Sequence, residues 1–182
     1  MNKIGTRNID TMRCRLRRIL SDDYKAMYEN WAKYEEVCRY FPFSPATDVE
    51  AYKEKVQKWT ENYESSTYFH WVIEWKENHE LIGTINLKIE ETCFMADTCY
   101  MLSPRYWGQG IMTEVLLEVL RYAFDEIELN RVQAEVFDGN AASAHVLLKC
   151  GMQLEGIARQ KYYKNGKFID TAQYAIIRRD YR

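Results

Sequence analysis

The stretch Leu102-Ser103-Pro104-Arg105-Tyr106-Trp107-Gly108-Gln109-Gly110-Ile111-Met112 decides how this chain folds. Ahead of it, Phe94 to Met101 is rich in aromatic and β-favouring side chains and reads as a strand. Pro104 has no N–H for a sheet ladder, so the strand stops there. Behind it, Ile111, Val115, Val119 and Tyr122, with Leu116, Leu120, Ala123 and Ile127, recur at helical spacing. A strand therefore passes through a glycine-containing loop into a helix. Glycines permit close backbone approach, and the free N–H groups and positive dipole end of the helix start converge on one spot that suits a phosphate. The pattern is not the dinucleotide-binding fingerprint, because the third glycine is absent and no acidic residue closes a short second strand. It is not a nucleoside-triphosphate loop, because no Gly-Lys-Ser/Thr follows. Two glycines before a helix also suit a plain turn, so the rest of the chain has to decide.

The 182 residues form one domain, long enough to bury a core. A hydrophobic content of 47% argues against disorder, and a net charge of −2 gives no general attraction to nucleic acid or an anionic membrane. Arg13 to Arg18 is basic but alternates with Cys14, Leu16 and Ile19, which reads as a solvated strand face. The N-terminus lacks a secretory apolar stretch, and no later run approaches membrane-spanning length. The cysteines Cys14, Cys38, Cys93, Cys99 and Cys150 form no Cys-x-x-Cys pair, and His70, His79 and His145 do not cluster with them. Free thiols in a reducing cytoplasm fit, without metal.

In order, Thr11 to Ile19 reads as a strand, and Ser21 as the cap of a helix running to Lys33 or beyond. Arg39 to Pro45 is a loop whose Tyr40, Phe41 and Phe43 read first as core lining, with a wall of a substrate site as the alternative. Thr47-Asp48-Val49-Glu50 reads as a capping box opening a second helix through about Trp59. Tyr68 to Trp75 and Leu81 to Ile89 pair as a hairpin. After the glycine loop and its helix come a strand, Arg131 to Phe137, and a short helix, Ala141 to Lys149, capped by Asn140 and stopped at Gly151. Met152 to Tyr163 and Phe168 to Ile177 flank Lys164-Asn165-Gly166-Lys167, a hairpin turn. The expected architecture is one mixed sheet covered by helices, an α/β or α+β domain.

These segments resemble the GNAT superfamily of acetyl-CoA-dependent N-acetyltransferases, and within it the Rim-type branch that acetylates ribosomal-protein N-termini. The resemblance rests on Arg15 to Asp23 as opening strand and helix cap, on Leu102 to Glu114 as pyrophosphate loop, and on Asn140-Ala141-Ala142-Ser143 with Lys149 to Met152 and Leu154 to Gly156 as second cofactor segment and following strand. It implies a mostly antiparallel central sheet. Two departures stand out. The superfamily loop Gln/Arg-x-x-Gly-x-Gly/Ala falls on Trp107, Gly110 and Met112, with Trp107 for the polar first residue and Met112 for the small last one. Seven residues after Asn140, where many members carry a proton-donating tyrosine, stands Leu147; a tyrosine there is expected to restore the donor.

The chemistry implied is acetyl transfer from acetyl-CoA to a primary amine. The resemblance puts the pyrophosphate on the N–H groups of Trp107, Gly108, Gln109, Gly110, Ile111, Met112 and Thr113. It lays the pantetheine arm along the strand ending at Met101 and Leu102, with Asn140 as a further contact. Ser143, one turn into the short helix, would donate to the leaving sulfur in place of Leu147; bonding to backbone is the plainer alternative. Asp97 is the candidate base, with Glu135 and Glu155 as rivals, and each also reads as a solvated carboxylate. His145 is expected to be exposed. The acceptor is read as a protein N-terminal amine, with a polyamine or aminoglycoside as the second reading and a non-catalytic acetyl-CoA-binding module as the third. Acceptor choice is assigned to the loops Arg39 to Pro45 and Lys161 to Phe168. No nucleic acid, membrane or metal is expected as a partner; a homodimer is left open.

Overall fold

The computed structural model describes residues 1–181. Its strands are β1 (Ile9–Asp10), β2 (Cys14–Arg17), β3 (Tyr68–Trp75), β4 (Leu81–Glu90), β5 (Met95–Leu102), β6 (Arg131–Phe137), β7 (Gln153–Lys164) and β8 (Lys167–Ile177). They form one sheet in the order β1-β2-β3-β4-β5-β6-β8-β7. All neighbours run antiparallel except β5 and β6. That parallel pair is joined by a helical crossover, as parallel strands require. Its register covers only Met95↔Arg131, Ala96↔Val132 and Asp97↔Gln133. Past Asp97, β5 continues against β4 to Gly83↔Leu102, while β6 continues against β8 to Phe137↔Thr171. The two strands therefore part, and the sheet opens between Thr98–Leu102 and Ala134–Phe137.

Helices cover both faces. On one face lie α1 (Tyr24–Met27), which runs into a π turn (Tyr28–Ala32), then α2 (Glu35–Cys38) and α3 (Val49–Glu61). On the other lie α4 (Ile111–Arg121), extended by a π turn (Tyr122–Glu126), and α5 (Ala141–Lys149). Each face has its own core. Val115, Leu116, Val119 and Leu120 of α4 pack on Trp71, Ile85, Ala96 and Val132; Met27, Trp31, Tyr52 and Val56 pack on Val72 and Leu81. No helix among the described residues is long and apolar enough to cross a membrane.

Four local expectations need correction. Leu20, not Ser21, holds the first cap position, and its N–H is taken by the Asp23 carboxylate at 2.7 Å. The Arg17 guanidinium fixes that carboxylate with bonds of 2.7 and 3.0 Å. Asp48, not Thr47, caps α3, because its two oxygens reach the N–H groups of Glu50 and Ala51. The Arg13–Arg18 face is not simply solvated: Arg17 is wedged between Asp23 and Glu74, and Arg13 is tied to α4. The loop aromatics are not core lining. Phe43 is 37% exposed and stacks on half-buried Phe41 at 5.0 Å.

Candidate active site

The glycine loop is shaped by its backbone. After β5 a single turn, Pro104–Tyr106, leads to Trp107, whose N–H donates to the Pro104 carbonyl and whose indole donates to the Leu102 carbonyl at 2.8 Å. Trp107 therefore braces the loop and offers no free backbone donor. Gly108 and Gly110 have φ of 72° and 73°, a left-handed conformation that side chains with a Cβ resist. Gly110 is the cap residue of α4. From Gly108 to Thr113 the backbone N–H groups find no acceptor among the described residues. They form a nest of donors at the positive end of a helix dipole, the arrangement that holds a diphosphate.

A network that the sequence did not announce pins this helix start. Glu114 accepts from the Arg13 N–H and Nε (both 2.7 Å) and from Thr11 Oγ1 (2.6 Å), while Arg13 Nη1 reaches the Gln109 carbonyl (3.0 Å). These bonds hold the Glu114 carboxyl below its ordinary range despite partial burial.

The opening between β5 and β6 leaves backbone groups of Thr98–Leu102 without a strand partner on that side. An extended amide chain can pair there as an added strand would. Side chains of β5 alternate across it. Ala96 and Leu102 belong to the core under α4, whereas Met101 packs on the core under α3. Asp97, in phase with Met101, thus faces α3, and Tyr100, packed on the α4 core, faces α5.

On the α5 side, Asn140 caps the helix by accepting the Ser143 N–H at 3.2 Å. The Ser143 hydroxyl lies 2.9 Å from the Tyr100 hydroxyl. Burial pushes the Tyr100 phenol above its usual range, so it keeps its proton at neutral pH. Tyr100 was missed in the sequence; its phase with Ala96 and Leu102 along β5 was the available signal. Leu147 is fully buried against the α4 core. A tyrosine at 147 would overpack that core, contrary to the expectation that it would restore the donor.

On the α3 side, Asp97 accepts from Gln133 Nε2 at 2.8 Å where the strands begin to part. Glu135 is bound by Lys161 and by the Tyr162 hydroxyl. Glu155 is forked to Arg131, whose guanidinium lowers its pKa, and Glu135, on the β6 segment that borders the opening, carries the Lys161 ammonium. Asp97 is thus the carboxylate at the opening with a neutral partner. His145 is exposed.

Above this face a recess of about 250 Å³ is lined by Cys38, Phe43, Tyr52, Lys55, Trp59 and Met101, among others. Cys99, two residues before Met101 and in phase with it along β5, is exposed, and its surroundings push its thiol up to about 11. The two loops singled out for acceptor choice touch at the edge of this recess, which takes Phe43, Ser44 and Pro45 from the first and no residue from the second. Lys164 of the β7–β8 hairpin donates to the carbonyls of Cys38 (2.8 Å), Phe41 (2.7 Å) and Phe43 (3.2 Å). A larger cavity, about 720 Å³ between Tyr28, Tyr34, Pro45 and Lys164, touches no residue of β5 and lies apart from the opening. Among the described residues no cluster of His, Cys, Asp or Glu could hold a metal.

Comparison with known proteins gives the family. Residues 13–153 match the family described as an acetyltransferase (GNAT) domain. Over 171 residues the chain is 33% identical to the "Uncharacterized N-acetyltransferase YoaA" of Bacillus subtilis (strain 168), spanning 93% of this chain and 96% of that one. Over 99 residues it is 32% identical to the ribosomal-protein-serine acetyltransferase of Escherichia coli (strain K12), spanning 54% and 55%. It shares its fold with the spermidine N-acetyltransferase of Vibrio cholerae, solved with CoA and spermine, at a TM-score of 0.81 and 20% identity over 93% and 98% of the two chains. With its glycine loop, parted strands and capped α5, the chain belongs to the GNAT family and is an acetyl-CoA-dependent N-acetyltransferase.

Proposed function

We propose that the chain acetylates the N-terminal amine of a protein, with the thioester lying in the β5–β6 opening. The observation that carries this reading is the division of labour across β5: Asp97 on one face, and the Tyr100–Ser143 pair on the other. Acetyl-CoA supplies the activated acyl group. Asp97 takes the proton of the incoming ammonium, directly or through water, so that the nitrogen lone pair is free to bond to the acyl carbon. As the carbon–sulfur bond breaks, the sulfur keeps the electron pair and takes a proton from Ser143, and the second proton that the acylated nitrogen sheds returns to the serine through water. Tyr100 donates to the Ser143 oxygen and so leaves the serine proton pointing outward. The nest from Gly108 to Thr113 holds the diphosphate, while Met101, Leu102 and Asn140 guide the arm. Against a polyamine acceptor stands Lys55, whose ammonium in the recess repels a polycation.

The test is thiol release from acetyl-CoA over a panel of free-N-terminal peptides, polyamines and aminoglycosides, with mass spectrometry of the product. Acetyl on a peptide α-amine at the highest kcat/KM is expected. A polyamine or aminoglycoside outpacing every peptide overturns the reading.

A further inference from the structure

Lys55 is the unusual charge of the acceptor face. Its ammonium sits 5.0 Å from the Phe43 ring centroid, 5.2 Å from Trp59 and 6.0 Å from Tyr52. No carboxylate pairs with it among the described residues, and burial lowers its pKa. Its neighbours differ. Lys161 is bound to Glu135, and Lys164 to backbone carbonyls. The one acidic lining residue, Asp48, is used by the α3 N-terminus. The recess thus presents one uncompensated cation, held by aromatic rings and sharing its lining with Met101 of β5. At the other end of the same face stands Asp97, whose hydrogen-bond partner is the neutral Gln133.

We infer that Lys55, in its collar of Phe43, Tyr52 and Trp59, reads a carboxylate on the acceptor, so that the substrate class is a peptide with a free N-terminus and an acidic residue close behind it. The inference rests on the N-terminal-amine reading above. Charge complementarity carries it: the ammonium of the acceptor meets Asp97, and its carboxylate meets Lys55. The length agrees. A strand rises about 3.3 Å per residue, so Asp97 and Met101 lie about 13 Å apart, and an extended peptide covers that span within its first four residues. The rings keep the lysine stem ordered and partly dehydrated, which strengthens its bond to an anion over that of a free surface lysine.

The test uses matched peptides with aspartate or asparagine at the second, third or fourth position, with kcat/KM read for each. Wild type should prefer aspartate at one of these positions by roughly five- to tenfold at low salt, and less as salt is raised. Lys55→Gln should bring that ratio close to one. Lys55→Glu should invert it and favour a lysine at the same position. Calorimetry of acetyl-CoA binding checks that each variant is folded. Equal kcat/KM for aspartate and asparagine peptides in wild type, or an unchanged ratio in Lys55→Gln, overturns the inference while leaving the N-terminal-amine reading intact. If peptides are inert and small amines react, the N-terminal-amine reading falls, and a small amino acid against its own carboxamide then reads the Lys55 preference directly; equal rates there overturn it.

Discussion

The two sides of β5 are built differently. The donor side, from Ser103 through α4 together with α5, is made of short contiguous runs: neighbouring N–H groups from Gly108 to Thr113, and a cap and hydroxyl three residues apart at Asn140 and Ser143. The acceptor side is assembled from α2, the loop after it, α3, β5 and the β7–β8 hairpin. It is stapled by Lys164 to carbonyls more than a hundred residues earlier in the chain. The proposed diphosphate nest and thiolate donor sit where local backbone geometry can place them. In the reading proposed above, selectivity sits where distant segments meet, and a change at a single side chain there, such as Lys55, is expected to alter it without disturbing the donor side.

Both sides hang on the end of β5, and Gly83 sets where that end lies. A Cβ at Gly83 would fall 2.3 Å from the Met101 carbonyl oxygen and 3.2 Å from the Leu102 Cα. Backbone, not a flexible side chain, would have to move. Gly83→Ala is expected to cost about 3 kcal/mol, read as a fall in Tm of roughly 6–12 °C. Affinity for acetyl-CoA and for the acceptor should drop together. Loss of one with the other intact would break the picture of a shared β5 hinge point.

The next effect is confined to the donor side. Ser143→Ala should lower kcat on the order of 10²-fold, the usual cost of one transition-state donor, and raise KM for acetyl-CoA little. Tyr100→Phe keeps the ring and loses the donor to Ser143, so a smaller fall of about tenfold is expected, with the same KM pattern. Single-turnover rates on an unchanged acceptor decide it. Wild-type rates in both variants, with chemistry rate-limiting, would make the pair a helix-start contact only.

What could be read in advance follows the same division. The strand, glycine loop and helix around Gly110 were legible because backbone conformation and hydrophobic period are local properties; so were the β3–β4 hairpin, β6 and the Asn140 cap. The missed elements each needed a partner far along the chain. The strand β1 is two residues long and gains its place from pairing with β2. Arg13 looks like a solvated strand residue until Glu114 is beside it, and Tyr100 looks like a sheet aromatic until α5 brings Ser143 to it. Leu20 displaced Ser21 as the cap because Asp23, held in place by Arg17, takes the Leu20 N–H, which no local pattern announces. Ring stacking at Phe41 and Phe43 replaced core burial for a related reason: the Lys164 staple holds that loop over the surface rather than under it.

The smallest expected effect separates the two sides by pH. His70 of β3 is buried under the edge of Trp59, at 4.8 Å, between the Tyr68 hydroxyl (2.9 Å) and Thr84 Oγ1 (2.8 Å). Burial first, and the nearby Lys55 ammonium second, lower its pKa to about 3. A histidine that stays neutral when folded but protonates near pH 6.5 when unfolded binds more protons in the unfolded chain. Its contribution to stability is complete above pH 6.5 and is lost progressively as the pH falls towards 3. The slope is about 1.4 kcal/mol per pH unit below pH 6. On the donor side the lowered carboxylate is Glu114, whose contribution is complete above its unfolded value of 4.5 and is lost below that as the pH falls through its folded pKa. Between pH 6 and pH 5 the stability loss therefore belongs to the α3 side. Urea unfolding across that window should show the slope in wild type and a flat profile in His70→Gln, compared as slopes because the substitution also changes the baseline. Hydrogen exchange should show α3 losing protection before α4. A slope that persists in His70→Gln, or α4 opening first, would place the acid-sensitive element on the donor side instead.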